Sequence, residues 1–274
     1  MSKRAQQPSK RSAQRSSPER DNVLDFQPMA RKQRGVGKTY EAPKRMECKT
    51  EAQAHFLMAI QEHVVTFGLG PAGVGKSHIP VAYGVELLQA NKIDKIIITR
   101  PMQGCDEGEI GALPGDLDEK VAPWFSPIRI ILEKQMGKGA VECQLKLGNI
   151  LVKPLQFLRG NTFENALVLL DEAQNTTPKQ MEMFLTRIGD NCRVVINGDL
   201  AQQDTHGVSG LRDAILKLHG SKSKHFAFRV FERKDIIRHP VVMDVLNAYQ
   251  KKLSAADVRL MSLLQGDRDE DTDA

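Results

Sequence analysis

The sequence predicts an α/β fold with a mostly parallel central sheet, and three stretches support this prediction. A glycine-rich segment, residues 70–77, lies between a short apolar run and a stretch with helical spacing. Two further apolar runs, residues 166–170 and 193–197, each end in acidic and amide side chains. Strands that alternate with helices form a parallel sheet with right-handed crossovers. Such sheets bind ligands at the carboxyl ends of their strands, where all three polar groups fall.

The glycine-rich segment has the sequence of a phosphate-binding loop. It follows a predicted strand over residues 63–69 and precedes a predicted helix over residues 77–88. The glycines let several N–H groups face one point, at which the helix N-terminus also aims. We therefore expect Lys76 to contact the β- and γ-phosphates of a nucleotide and Ser77 to ligate Mg²⁺. The alternative is a glycine-rich turn with an incidental lysine. The residues of the loop are Gly70, Pro71, Ala72, Gly73, Val74, Gly75, Lys76 and Ser77.

The acidic residues that end the other two runs complete the predicted nucleotide site. Asp171 is expected to hold the Mg²⁺ coordination shell, and Glu172 to orient and deprotonate the attacking water. The alternative for this pair is a helix-capping role. Asp199 and Gln202 follow the next strand and are candidates to sense the γ-phosphate. Arg100, at the end of a predicted strand over residues 95–99, and the loop over residues 102–117 are candidate contacts for nucleic acid.

Cap signals and periodicity predict the remaining elements. A capping box from Thr50 to Gln53 begins one helix, and a second box at Thr177 begins another that ends at Gly189. We also predict a helix over residues 119–135 that is broken at Pro123 and Pro127, a hairpin formed by residues 141–145 and 150–153, a strand over residues 225–231 and a final helix over residues 240–252.

Charge divides the chain into three predicted regions. Residues 1–49 contain thirteen Lys or Arg and five Asp or Glu, a net charge of +8, whereas the whole chain carries +5. We predict a disordered basic arm over residues 1–42, a folded domain over residues 43–256 and a flexible acidic tail over residues 257–274. The arm either contacts the phosphates of a nucleic acid or is a solvated tail.

Composition excludes several classes of protein. No apolar run is long enough to span a membrane, and the basic N-terminus has no hydrophobic stretch behind it as a secretory signal would. The four cysteines are scattered without paired spacing, which argues against a zinc site and a disulfide framework. This pattern fits a reducing, cytoplasmic compartment.

These motifs together resemble the PhoH-like proteins over residues 49–249. Beyond the loop and the Asp171-Glu172 pair, the resemblance rests on Thr99-Arg100-Pro101, Leu113–Leu117 with Glu119-Lys120, Arg159-Gly160, Phe184–Gly189, Gly198-Asp199 with Gln202, Ser209–Leu211 and Asp235–His239. It implies one RecA-like P-loop NTPase domain, similar to the core of superfamily-1 helicases, that hydrolyses ATP with Mg²⁺ and acts on single-stranded RNA. It also implies that Gln53 reads the adenine edge, with helix capping as the alternative. Asn197 departs from the pattern, where a threonine is expected.

The helicase resemblance implies assembly as well. Helicase ATP sites lie between two RecA-type domains, and the second domain supplies an arginine to the γ-phosphate. About 200 ordered residues form one such domain, so we expect a homo-oligomer, with a hexameric ring favoured. Arg238 or Arg187 would be the arginine in trans, with Arg233 a weaker third, and surface ion pairs are the alternative role for each.

Two classes of function remain open from the sequence. One is an ATP-driven enzyme that remodels or unwinds RNA, and the other is a nucleotide-switched binding protein with slow turnover. Glu172 favours the first class, because a switch does not need a carboxylate that polarises water.

Overall fold

Six parallel strands form the centre of the protein in a computed structural model, which describes residues 46–101, 117–204, 207–221, 223–248 and 255–266. The strand order in the sheet is β3-β2-β4-β5-β1-β6. The predicted α/β class with a mostly parallel central sheet is confirmed. The strands are β1 Val65–Leu69, β2 Lys95–Arg100, β3 Ile150–Pro154, β4 Ala166–Leu170, β5 Cys192–Gly198 and β6 Phe226–Val230.

Helices cover both faces of the sheet, which explains why its strands are apolar throughout rather than alternating. Every residue of β1 and β4 is buried. One face packs against the first four helices, and the other against α5, α6 and α8. The helices are α1 Glu51–Glu62, α2 His78–Gln89, α3 Leu117–Met136, α4 Lys138–Leu147, α5 Pro178–Leu185, α6 Gly210–His219, α7 Pro240–Ala248 and α8 Ala255–Gly266.

The predicted break in the third helix is wrong, because Pro123 and Pro127 both lie within α3. A proline inside a helix costs about 3 kcal/mol, since it removes a hydrogen bond and crowds the preceding turn. The apolar residues of the same helix offset that cost. Ile128 and Leu132 are almost completely buried against the sheet. Tertiary packing has therefore outweighed the local preference of the prolines.

The predicted hairpin is also wrong. Residues 141–145 belong to α4, and Gly148 ends that helix in the left-handed conformation at φ 74° instead of forming a hairpin turn. The strand that follows, β3, pairs in parallel with β2, with Ile96 opposite Ile150. A spacing of four residues would place Val141 and Leu145 on the same face of either a helix or a strand. The spacing therefore cannot distinguish the two types of element.

The end of α5 differs from the prediction, whereas the final predicted helix is present. α5 ends at Leu185 instead of continuing to Gly189, because Ile188 forms an isolated parallel bridge with Phe163. Gly189 is required there by space, since a Cβ would lie 2.7 Å from the Phe163 carbonyl oxygen. The final predicted helix is confirmed as α7 over Pro240–Ala248, and residues 249–252 lie outside the described residues.

Part of the predicted acidic tail is folded. Residues 255–266 form α8, which buries Leu260 and Leu264 against the sheet, and Asp257 forms an ion pair with Arg212 at 3.2 Å. The acidic composition of the last residues concealed this short apolar stripe. Residues 267–274, the predicted basic arm over residues 1–42, and the loop over residues 102–116 lie outside the described residues.

The topology brings the polar ends of β1, β4 and β5 to one edge of the sheet. β5 lies between β1 and β4, with Leu69 opposite Gly198 and Leu170 opposite Ile196. The phosphate loop follows β1 at this edge, Asp171 follows β4, and Asp199 follows β5. Within the part of the chain that the structure describes, no helix has the length and apolar character needed to cross a membrane.

Candidate nucleotide site

Hydrogen bonds from other parts of the protein to three of its carbonyl groups fix the backbone of the phosphate loop. The Gly73 carbonyl accepts the Ile237 N–H at 3.1 Å, the Val74 carbonyl accepts Gln53 Nε2 at 2.8 Å, and the Lys76 carbonyl accepts Asn197 Nδ2 at 2.7 Å. In a trans peptide the C=O and the following N–H point in opposite directions. The N–H groups of Val74, Gly75 and Ser77 therefore face away from these partners.

Close contacts require glycine at two positions of the loop. Gly70 and Gly73 have φ values of 140° and 92°. A Cβ would lie 2.6 Å from the Phe231 carbonyl oxygen at Gly70, and 2.6 Å from Arg238 Nε at Gly73. The loop therefore packs directly on the segment that follows β6, and only glycine fits both the space and the backbone angle.

Gln53 connects α1 to the loop. Its Oε1 accepts the Lys49 N–H at 2.8 Å, its Nε2 binds the Val74 carbonyl, and Thr50 caps the helix by accepting the Gln53 N–H at 3.2 Å. The full capping box predicted from Thr50 and Gln53 is thus only half formed, because the Gln53 amide is buried under the loop. Its predicted contact with adenine stays a prediction.

Lys76 folds back on its own loop. Its ammonium group donates to the Gly70 carbonyl and, at 2.7 Å, to the Pro71 carbonyl. Burial lowers the pKa of Lys76, while the nearby carboxylates of Asp199, Asp171 and Glu172 act in the opposite direction. The ammonium group thus binds two carbonyl groups of its own loop and lies near three acidic side chains.

Asp171 joins the loop to the end of β4. Its Oδ1 accepts the Ser77 hydroxyl at 2.9 Å, and its Oδ2 accepts Arg100 Nε at 3.1 Å and Nη2 at 2.6 Å. The two predicted metal-binding residues, 94 positions apart in sequence, are therefore brought together. A hydroxyl and a carboxylate are hard oxygen ligands of the kind that Mg²⁺ prefers. Arg100, the predicted nucleic-acid contact, is bound to this carboxylate.

Glu172 is exposed and has a left-handed backbone, with φ 57° and ψ 39°. This conformation is uncommon for a residue with a side chain and recurs at functional sites. The Glu172 carboxylate accepts Gln174 Nε2 at 2.7 Å. The carboxylate predicted to activate water is thus at the expected edge, and it is held by a buried amide.

Asp199 and Gln202 lie together beyond β5. Asp199 Oδ2 accepts Gln202 Nε2 at 2.9 Å, and Oδ1 accepts the Ala201 N–H at 3.0 Å. Burial raises the pKa of Asp199, while the Ala201 N–H and the charge of Lys76 lower it. The predicted sensor segment is therefore placed beside the lysine of the loop.

The two predicted trans arginines occupy different ends of the sheet. The Arg238 side chain lies against Gly73 of its own loop. Arg187 lies at the opposite edge, between α5 and β5. Its carbonyl accepts the N–H of Phe163, which precedes β4, at 2.7 Å, and its Nε donates to the Met183 carbonyl at 3.4 Å. Within one chain, Arg238 is near the site and Arg187 is not. The trans role of either arginine stays a prediction.

Sequence reasoning missed two functional candidates. Gln174 and Asn197 are both almost fully buried and both bind the site, Gln174 through Glu172 and Asn197 through the Lys76 carbonyl. From the sequence, Asn197 stands out only as a departure from a family pattern. A signal for both exists, since each is an amide side chain within or directly after a buried strand, where an unsatisfied amide is costly.

Comparison with known proteins identifies relatives over most of the chain. The family model described as "PhoH-like protein" matches residues 45–250. Protein PhoH of Escherichia coli strain K12 is 41% identical over 205 residues, which are 73% of this chain and 57% of that protein. The PhoH-like protein of Bacillus subtilis strain 168 is 40% identical over 211 residues, 76% of this chain and 65% of that protein. The chain thus spans about three fifths of the length of these relatives.

Among solved structures, the large terminase of a thermophilic bacteriophage is similar with a TM-score of 0.44 and 11% identity. That match covers 74% of this chain and 50% of the terminase chain.

Proposed function

The chain belongs to the PhoH-like protein family, and from that membership and the geometry of its loop we propose that it hydrolyses ATP with Mg²⁺ and couples the hydrolysis to single-stranded RNA. The observation that supports hydrolysis best is the contact of Ser77 with Asp171 beside Glu172. The loop, the two oxygen ligands and an adjacent exposed carboxylate form the parts that phosphoryl transfer to water requires.

The donor set fits a magnesium nucleotide. The N–H groups of the loop and the Lys76 ammonium would bind the β- and γ-phosphates, and Ser77 with Asp171 would hold the metal, which supplies charge neutralisation when bound. Lys76 would exchange the Gly70 and Pro71 carbonyls for phosphate oxygens. That exchange gives its charge an anionic partner, so nucleotide binding is expected to favour the protonated lysine.

Glu172 would act as the general base. Its carboxylate would orient a water toward the γ-phosphate and accept the proton as the new bond to phosphorus forms. Asp199 and Gln202 would sense whether that phosphate is present. Gln53, under the loop, would contact adenine only by releasing one of its two present partners.

The decisive experiment replaces the base. Glu172→Gln is expected to retain ATP binding and to lose about 10²-fold or more in turnover, because it removes the proton acceptor and leaves the size of the side chain unchanged. Release of phosphate in the presence of Mg²⁺ measures the rate. Glu164→Gln is the matched control, since Glu164 is exposed just before the start of β4. Wild-type turnover in Glu172→Gln would contradict the proposed role.

RNA binding is proposed from the basic arm and Arg100. Each phosphate that the arm neutralises releases a counterion, so affinity is expected to fall steeply with salt. Deleting residues 1–42 should flatten a plot of log affinity against log salt, measured with a fluorescent single-stranded oligonucleotide. A slope equal to that of the full chain would show that the arm is only solvated.

The alternative function is a nucleotide-switched RNA-binding or assembly protein with slow turnover. The hydrogen bond from Gln174 to Glu172 favours it, because a carboxylate already bound by an amide has to be reoriented before it can hold water. RNA-stimulated hydrolysis with strand separation would support the remodelling enzyme, and ATP-dependent RNA binding without strand separation would support the switch.

A further inference from the structure

We propose that Gln174 is a positioning residue that couples the orientation of Glu172 to the segment after β5. The inference rests on the proposed hydrolysis, in which Glu172 is the base. Gln174 spans the gap between two strand ends: its Nε2 donates to Glu172 Oε2 at 2.7 Å, and its Oε1 accepts the Asp199 N–H at 3.1 Å. A single amide group thus contacts both the base and the sensor segment.

The backbone of Gln174 is clamped, so only its side chain is able to adjust. Its carbonyl accepts the Ser209 hydroxyl at 2.9 Å, and the neighbouring Thr176 carbonyl accepts the Gly210 N–H at 2.7 Å. Gly210 has no room for a Cβ, which would lie 2.3 Å from the Thr177 carbonyl oxygen. The start of α6 therefore fixes the short segment that carries Gln174.

The side-chain amide of Gln174 is buried, so water cannot replace a hydrogen-bond partner that the amide loses. Gln174 is 1% exposed, and a Cβ on the adjacent Gly198 would lie 3.0 Å from its Oε1. Loss of one hydrogen bond by a buried amide leaves the desolvation cost of that group uncompensated. A shift of the Asp199 backbone would therefore be followed by the Gln174 side chain, and with it the donor that holds Glu172.

The sensor segment is linked to the loop on its other side. Asp199 Oδ2 accepts Gln202 Nε2, and the charge of Lys76 acts on Asp199. Any ligand that moves Lys76 or Gln202 changes the environment of Asp199, and Gln174 transmits that change to Glu172. Gln174 thus allows the base to be held aside until the γ-phosphate is sensed.

Two substitutions separate the two hydrogen bonds. Gln174→Glu keeps an acceptor for the Asp199 N–H but replaces the donor to Glu172 with a second carboxylate, whereas Gln174→Leu removes both contacts. We expect Gln174→Glu to lower kcat about tenfold or more, with KM for ATP within about twofold, because the base is misplaced while the nucleotide contacts remain. Gln89→Glu is the matched control, since Gln89 is exposed at the end of α2.

The division of the effect between kcat and KM distinguishes positioning from loss of structure. A misplaced base lowers kcat and leaves KM for ATP nearly unchanged, whereas a distorted nucleotide site raises KM as well. A rise in KM at constant kcat, or equal values of kcat in Gln174→Glu and Gln89→Glu, would overturn the proposal.

Two further measurements do not depend on how one variant folds. Gln202→Ala alters an exposed residue, and its effect on kcat should be non-additive with that of Gln174→Leu if both act through Asp199. The side-chain amide resonance of Gln174 should shift in Glu172→Gln, whether or not the wild-type chain hydrolyses ATP. Absence of hydrolysis in the wild type would overturn the proposed function, and additivity or an unmoved resonance would overturn the coupling.

Discussion

The Asp171 carboxylate pairs with Arg100 and is also a candidate ligand of Mg²⁺, and these two roles compete. Its carboxylate is 3% exposed, yet it binds the Ser77 hydroxyl through one oxygen and the Arg100 guanidinium through the other. A buried carboxylate without a cation is strongly disfavoured, and a paired one is tolerated. Arg100 therefore compensates the charge of Asp171, and a bound Mg²⁺ would take over part of that task.

Replacing Arg100 should reveal this compensation. Arg100→Gln is expected to lower the free energy of unfolding by at least about 1.5 kcal/mol without nucleotide, the smallest value usual for hydrogen bonds to charged groups. The loss should shrink when Mg²⁺ and ADP are added, because the metal supplies a cation to Asp171. Urea unfolding monitored by circular dichroism measures both quantities.

The matched control for Arg100 is Arg129→Gln. Arg129 forms an ion pair with Glu133 at 2.8 Å on the solvent side of α3. Exposed pairs contribute about 0–1 kcal/mol, so this variant should be close to the wild type and insensitive to Mg²⁺. Equal losses in the two variants would mean that the Arg100 pair is an ordinary surface contact.

The positions of the candidate site residues are readable from the sequence, but the contacts that these residues make are not. Lys76, Ser77, Asp171 and Glu172 follow from a glycine pattern and from the ends of apolar runs. The pairing of Arg100 with Asp171 joins residues 71 positions apart, and no local pattern encodes such a contact. Gln174 and Asn197 escape sequence reasoning for the same kind of reason, since each binds a group that a neighbouring strand end or loop supplies.

At the level of elements, the predictions fail where local and tertiary preferences differ. Both ends of β4 are predicted correctly, because a run of five apolar residues between polar groups indicates a short buried strand. The apolar residues in the segment of α4 fit the period of a strand, 2, and the period of a helix, 3.6, equally well. α8 is hidden because its buried stripe is short and its neighbours are acidic, so composition suggests a tail.

Two adjacent leucines in α8 test whether this helix is part of the fold. Leu264 is 2% exposed and packs in the core beside β6, whereas Leu263 is 60% exposed. Leu264→Ala should cost about 2–5 kcal/mol in the free energy of unfolding, from lost burial and the cavity left behind. Leu263→Ala should cost less than about 1 kcal/mol, because it removes little buried surface.

Urea unfolding of both variants measures the difference. If Leu264→Ala and Leu263→Ala unfold at the same urea concentration, α8 contributes nothing to the stability of the domain. A larger loss in Leu264→Ala would show that the folded domain extends to at least residue 264.

At the scale of the whole molecule, the positions of Arg238 and Arg187 indicate two kinds of nucleotide site. In one kind the arginine comes from the same chain, and in the other it comes from a neighbouring copy. Arg238 contacts its own loop, so it can act within one chain. Arg187 lies at the far edge of the sheet, where only a neighbouring copy could bring it to a nucleotide. A head-to-tail ring, for which we favour a hexamer, would place that edge against the site of the next copy.

Mixing inactive variants tests this assignment. Arg187→Ala mixed with Lys76→Ala should recover part of the ATPase activity, because an intact loop and an intact Arg187 from different chains can form one site. Arg238→Ala mixed with Lys76→Ala should not recover, since the chain with the intact loop lacks its own Arg238. Phosphate release from each mixture, compared with the sum of the separate variants, gives the result.

The outcome depends on assembly. Full activity from a strictly monomeric preparation, independent of protein concentration, would exclude a shared site. Recovery with Arg238→Ala but not with Arg187→Ala would reverse the assignment and show that Arg238 reaches a neighbouring loop.

The neighbours of β1 have a consequence for how the protein is made. Val65 pairs with Val194 on one side and with Phe226 on the other, so β1 is complete only after more than half of the chain has followed it. At about 5–20 residues per second, a ribosome needs on the order of ten seconds to supply the first of these partners. During that interval a nascent chain has β2, β3 and β4 available to pair, while β1, which leads into the phosphate loop, lacks both of its neighbouring strands. We therefore expect that nucleotide cannot assist folding until β5 and β6 have been synthesised.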